Sequence, residues 1–279
     1  MSDHAKDLRD TLDFAVDLAW RAGRLALSYF QMSPQVERKS DASPVTAADR
    51  AAERLLRETI SRAYPDDGIL GEEFGEERPS ASRRWVLDPI DGTRSFVRGV
   101  PLWGVLIALE SAVADRTPEP RGPTDRDRES VLGVIHFPAL GETVYAANGV
   151  GCWWDGRRAR VSDVADIDRA LVITSDVVRT TEHGRPGAWD RLRAQAGMAR
   201  TWGDCYGYAL LATGRAEAML DPVLNIWDAA PMATIVREAG GVLTDWDGEP
   251  SYTSGSLVAT NAALAEEVRA LLAGPAARQ

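Results

Sequence analysis

Near the start of the chain, Leu8, Leu12, Ala15, Ala19, Ala26 and Phe30 recur at intervals of three, four and seven residues. That spacing predicts an amphipathic helix from about Asp7 to Phe30. Pro34 and the polar run Lys39–Pro44 predict a loop. Thr46 then reads as a helix N-cap with Asp49 at the third position, ahead of a second apolar stripe, Ala48, Ala52, Leu55, Leu56 and Ile60. Pro65–Gly68 breaks that helix. The pattern next shortens to apolar runs typical of strands. These are Ile69–Gly71, Trp85–Leu87, Val105–Leu109, Val131–Ile135 and Thr143–Ala146. The second of them is expected to stop at Asp88-Pro89, because proline cannot continue a central ladder. A polar loop is expected before Trp85 and another over Asp115–Ser130, and Asp155-Gly156 is a tight-turn signal.

The second half alternates. Strands are predicted at Leu171–Ile173, Ala216–Leu220, Val242–Thr244 and Leu257–Ala259, with helices at Trp189–Gln195, Tyr206–Ala212, Trp227–Ala239 and after Asn261. Gly214 and Gly240-Gly241 close two of these helices. The fold class is therefore α/β, with layered sheets and helices. A chain of 279 residues accommodates a single unit, or two closely packed halves at about 1–150 and 151–279.

Composition narrows the chemistry. The formal net charge of −10 disfavours a nucleic-acid backbone or an anionic membrane surface as partner. An anionic substrate would need a local reversal of that field, which a bound metal supplies. Cys152 and Cys205 form neither a disulfide framework nor a zinc pair and read as small core residues. No basic leader followed by an apolar run is apparent, and no apolar stretch is long enough to span a bilayer, so the expected location is the cytoplasm.

The informative residues are acids at element ends. Glu72 and Glu73 follow one strand, Asp88 and Asp91 follow another, and Asp228 opens a late helix. Open α/β sheets bind ligands at such ends. Carboxylates without histidine or cysteine favour a hard cation such as magnesium, manganese or calcium. Asp91-Gly92-Thr93 adds backbone N–H donors for a phosphate. Singly, each piece has a plain reading as a solvated loop, a turn or a helix cap; together and in this order they favour a metal site.

Gly71-Glu72-Glu73, Asp88-Pro89-Ile90-Asp91-Gly92-Thr93, Trp227-Asp228-Ala229-Ala230 and Glu238-Ala239-Gly240-Gly241 closely resemble the inositol monophosphatase-like family, over nearly the whole chain. The resemblance implies an alternating α/β sandwich and a magnesium-dependent, lithium-sensitive phosphatase, often homodimeric, with manganese as a substitute. It implies a first metal on Glu72, Asp88 and the Ile90 carbonyl, a second on Asp88, Asp91 and Asp228, and a third, looser one touching Glu72. It pairs Asp49 with Thr93 to help activate an attacking water, and puts the phosphate against Asp91, Gly92 and Thr93. No phosphoenzyme is implied, and His4, His136 and His183 match no role; they read instead as a mobile N-terminal residue, a strand residue and a loop residue. Arg94-Ser95-Phe96 departs from the family's usual Thr-Asn-Phe or Lys-Asn-Phe, which bears on local packing or substrate approach.

Within the family the chain looks most like bacterial histidinol-phosphate phosphatases, on Gly71–Gly75, Phe96–Trp103, Trp202–Tyr208 and Ala218–Pro222. That substrate carries an ammonium and an imidazole, so its pocket should offer carboxylates beyond those on metal. Asp204 and Asp221 are the candidates, with a helix N-cap as the plain reading of Asp204. Arg98 and Trp103 either line the pocket or pack. The alternatives are an inositol-1-phosphate phosphatase of broad specificity, a nucleotide 3′-phosphatase, and a non-catalytic binding protein on the same scaffold. The last predicts a lost metal ligand, whereas Glu72, Asp88, Asp91 and Asp228 are all present.

Overall fold

The computed structural model describes residues 3–31, 36–38, 44–113 and 123–274. The first half of the chain runs α1 (Asp3–Leu27), β1 (Val36–Arg38), β2 (Pro44–Thr46), α2 (Ala47–Ala63), β3 (Gly68–Gly71), β4 (Gly75–Glu77), β5 (Arg83–Asp91), α3 (Thr93–Val97), β6 (Gly104–Ala112), β7 (Arg128–Phe137), β8 (Glu142–Ala147), β9 (Gly151–Trp154) and β10 (Arg157–Arg158). The second half runs β11 (Leu171–Thr174), α4 (Val177–His183), α5 (Ala188–Gln195), β12 (Met198–Arg200), α6 (Cys205–Ala212), β13 (Ala218–Asp221), α7 (Ile226–Glu238), β14 (Val242–Thr244), β15 (Leu257–Thr260) and α8 (Ala265–Ala273).

Strand alternation builds the layers. In β6, Val105, Ile107 and Leu109 face α1 and α2, whereas Leu106 and Ala108 face the opposite side, where α6 and α7 pack. Strands β3–β10 form an eight-stranded sheet in the order β10-β9-β8-β7-β6-β5-β3-β4. Five more form a second sheet, β12-β11-β13-β15-β14. Met219 of β13 joins the core shared with α6 and α7, while Ala218 and Leu220 turn to α5 and α8. The result is helix, sheet, helix, sheet, helix: the alternating α/β sandwich the sequence implied.

Three expectations need correction. The strand that begins before Trp85 does not stop at Asp88 but runs through Pro89 to Asp91. Its register against β6 shifts between Asp88, opposite Leu106, and Asp91, opposite Gly104. The bulge removes the demand for a ladder N–H that proline cannot meet. The expected loop before Trp85 contains β4, paired antiparallel with β3. His183 ends α4 and does not lie in a loop. Of the other expected features, Pro34, residues 39–43 and 115–122, and the side chain of Thr46 lie outside the described residues.

Candidate active site

The bulge in β5 decides the geometry. Residues three apart on a regular strand point to opposite faces, so Asp88 and Asp91 would ordinarily diverge. The extra residue of the bulge returns both carboxylates to the face that packs on α7. There Asp228, at the third position of α7, meets them: carboxylate oxygens of Asp88, Asp91 and Asp228 lie within 4.8 Å of one another. Asp228 is not the helix cap. Asn225 holds that position, and its backbone N–H donates to Asp228 Oδ2 at 2.9 Å. Asp88 accepts from the Ile90 N–H at 2.9 Å, and Asp91 from the Cys205 N–H at 2.6 Å. That last bond ties β5 to the first turn of α6.

Such a cluster is electrostatically unfavourable without a counter-ion. Burial, then the charges of Glu72, Asp91 and Asp228, hold the Asp88 carboxyl well above the usual carboxylate range. Burial, then Asp204 and Asp228, do the same to Asp91. Burial pushes Asp228 up to about 7, with Glu72 and Asp204 adding repulsion and the Asn225 N–H opposing it. Three carboxylates this close call for either protons or a hard cation, and an all-oxygen donor set fits magnesium-class ions.

A cavity of about 580 Å³ opens over the cluster. Glu72, Asp91, Gly92, Thr93, Asp204, Asp221 and Asp228 all line it, while Asp88 and Ile90 are buried beneath. Gly92 has φ +82°, and a side chain there would press on the Asp204 carboxylate and the Leu102 carbonyl. Only glycine suits both demands. The Thr93 hydroxyl donates to the Ile90 carbonyl at 3.1 Å. Asp49 is buried in the first turn of α2, where its neighbour Ala48 packs with Ile90 and Phe96. Distant as they are in sequence, α2 and the β5–α3 turn are thus brought together.

Also in the cavity lining, Asp221 accepts from the Ser175 N–H at 3.3 Å and from the Tyr208 hydroxyl at 3.0 Å. Burial pushes its carboxyl up to about 7, against those bonds. Asp204 does occupy the N-cap position of α6, but its side chain makes no capping bond. Burial raises its pKa, while its own backbone N–H, Arg94 and Arg179 pull it back. Trp103 packs in a buried aromatic cluster with Phe96, and Arg98 is exposed away from the cavity lining.

Several contributors were not anticipated. Ser175, Asp176, Arg179, Cys205 and Tyr208 all line the cavity. Asp176 had a usable signal, since it follows the strand Leu171–Thr174 as Asp88 follows Trp85–Leu87. Cys205, read as a plain core residue, is buried but supplies the N–H that holds Asp91. Beneath the β3–β4 turn, buried Glu53 of α2 accepts from the N–H groups of Glu73 at 2.7 Å and Phe74 at 3.3 Å, and from Arg57 Nε at 2.7 Å. Arg57 also reaches Glu77 at 2.8 Å and the Gly75 carbonyl. Gly71 makes room, for a Cβ there would overlap the Glu53 carboxylate. This pair fixes the turn that presents Glu72. Its signal was an ion pair four residues apart, masked as surface charge.

Comparison with known proteins agrees with the geometry. The model of the inositol monophosphatase family matches residues 7–274. The chain is 43% identical to a histidinol-phosphatase of Chlorobaculum parvum, over 94% of this chain and 96% of that one. It is 39% identical to a histidinol-phosphatase of Mycobacterium tuberculosis, over 93% and 96%. A solved IMPase of Thermotoga maritima superposes with a TM-score of 0.82 at 31% identity, covering 95% and 97%. The chain belongs to the inositol monophosphatase family.

Proposed function

We propose that this member of the inositol monophosphatase family is a magnesium-dependent phosphomonoester hydrolase whose substrate is histidinol phosphate. The observation that carries the reading is a surplus of acid around one cavity. The carboxylates of Asp88, Asp91 and Asp228 converge there, and Asp176, Asp204 and Asp221 add further acid to the lining. The converged set suits a metal-assisted phosphate site, and the further acid suits a nitrogenous leaving group. Likeness to two histidinol-phosphatases supports the substrate assignment.

Glu72, Asp88 and the Ile90 carbonyl would hold one magnesium, and Asp88, Asp91 and Asp228 a second, with a third near Glu72. Bound there, magnesium neutralises phosphoryl charge and acidifies water, supplying a nucleophile at neutral pH. The protein's own groups do the rest. Backbone N–H groups at Gly92 and Thr93, in the turn where Gly92 takes the left-handed conformation, would donate to the phosphate. The Thr93 hydroxyl, paired with Asp49, would help activate the attacking water. Asp204 faces the nitrogenous end of the substrate, and Asp221, tied to Ser175 and Tyr208, fixes the wall behind it. In the same reading manganese supports turnover, lithium inhibits, the enzyme is a cytoplasmic homodimer, and residues 1–150 and 151–279 are packed halves of one unit. No helix among the described residues is long and apolar enough to cross a membrane.

The test is phosphate release with magnesium from histidinol phosphate, inositol 1-phosphate, fructose 1,6-bisphosphate and adenosine 3′,5′-bisphosphate. Histidinol phosphate is expected to lead in kcat/KM by at least about tenfold, with all activity lost on chelation. Preference for inositol 1-phosphate would overturn the substrate and keep the metal chemistry. Inactivity on all four would return the scaffold to a binding role.

A further inference from the structure

Arg94, the departure from the family pattern, does not pack against its own helix. Its guanidinium Nη1 reaches across to Asp176 Oδ2 at 3.6 Å. Arg94 belongs to α3, which continues from β5 of the eight-stranded sheet, whereas Asp176 caps α4, which continues from β11 of the five-stranded sheet. Both line the cavity, so the pair bridges its two walls.

The two oxygens of Asp176 have different duties. Oδ1 accepts from the N–H groups of Val178 at 2.9 Å and Arg179 at 3.2 Å, which fixes the carboxylate as the cap of α4. Oδ2 is directed at the cation. The orientation of this acceptor therefore does not depend on Arg94. The Arg94 side chain is 70% exposed, and an ion pair so open to water contributes little and exchanges easily. Its removal would leave a preoriented carboxylate at the mouth of a phosphate-ester cavity.

We infer that Asp176 is the docking carboxylate for the nitrogenous end of the substrate, and that Arg94 is a stand-in cation which the substrate displaces. The inference rests on the histidinol-phosphate reading above. An incoming N–H cation on Oδ2 replaces a long, water-exposed ion pair with a charge-assisted hydrogen bond. An uncharged polyol brings no cation to that exchange and gains less from Asp176. The Arg94–Asp176 pair thus selects for nitrogenous esters and makes them compete with a tethered arginine.

The experiment compares KM for histidinol phosphate and inositol 1-phosphate in the wild type, Asp176→Asn and Arg94→Gln. Asparagine caps a helix as well as aspartate, so α4 is retained. Asp176→Asn is expected to raise KM for histidinol phosphate about tenfold and that for inositol 1-phosphate less than about twofold. Arg94→Gln, which removes the competitor, is expected to lower KM for histidinol phosphate by about threefold. Equal changes for both esters in Asp176→Asn would reduce the pair to a structural brace and overturn the inference. A rise in KM for both esters in Arg94→Gln would make Arg94 a phosphate contact and overturn it too. A wild type without preference for histidinol phosphate would instead overturn the underlying reading.

Discussion

Asp91 accepts the Cys205 N–H at 2.6 Å while its carboxylate converges with Asp88 and Asp228. An amide at this position keeps the shape and loses one charge. Asp91→Asn is therefore expected to lower kcat at least about a hundredfold. The metal-free variant should melt no earlier than metal-free wild type, because like-charge repulsion is relieved. Turnover close to wild type would remove Asp91 from the metal site. His136 belongs to no site. It is 1% exposed, bonded through Nδ1 to Thr143 Oγ1 at 2.9 Å and stacked on Trp20. Burial lowers its pKa to about 4, against a hydrogen bond at the Glu142 backbone. The unfolded chain protonates this histidine near 6.5. As pH falls from 6.5 to 4 the unfolded state binds a proton that the native state refuses, so stability drops across that window. The full loss is about 3 kcal/mol, and above pH 6.5 the effect vanishes. His136→Gln should lose some packing at every pH but lack this slope, so its deficit in Tm narrows between pH 7.5 and pH 5. A deficit that does not change with pH would show that His136 titrates normally.

At the scale of the element, the useful irregularities are the bulge in β5 and the braced turn after β3. Glu53 and Arg57 lie on the buried face of α2, in line with Leu56 and Ile60. Glu53 meets three donors in its own helix and in the turn. Removing one member of a buried charge pair strands the other, at a cost of about 3 kcal/mol. Glu53→Gln is thus expected to lower stability by about that amount. Because the turn presents Glu72, it should also raise the magnesium concentration for half-maximal activity by roughly tenfold or more. An activity titration with magnesium checks this. Lower stability with unchanged magnesium dependence would make the network a brace for the fold alone. The strands and helices were largely legible, since periods of two and 3.6 are local and leave their mark on the chain. The bulge was not. Pro89 announced an interruption, but the outcome depends on how β6 pairs beyond it: Asp91 opposite Gly104 continues the strand.

On the scale of the whole molecule, the site is assembled from both sheets and four connecting helices, so anything that binds it binds only the native state. Magnesium at a hundred times its dissociation constant adds about 2.7 kcal/mol, or roughly 5 °C in Tm for a chain of this size. Thermal melts with magnesium and with chelator should show that difference, and Asp228→Asn should abolish it. A melt indifferent to magnesium would mean that the acids hold no cation in the native protein. The sequence alone determined the fold class, the apolar strands, the two amphipathic helices and the family, through Asp88-Pro89-Ile90-Asp91-Gly92-Thr93 and Trp227-Asp228. These depend on local periodicity and on residue types whose chemistry travels with them. Only the tertiary structure decided that Asp88 and Asp91 share a face, that Glu53 steadies the turn bearing Glu72, and that Arg94 meets Asp176 across the cavity. Those contacts join segments far apart in the chain. Their energy comes from burial and from charges brought together, and neither exists until sheet register and helix packing have set the distances.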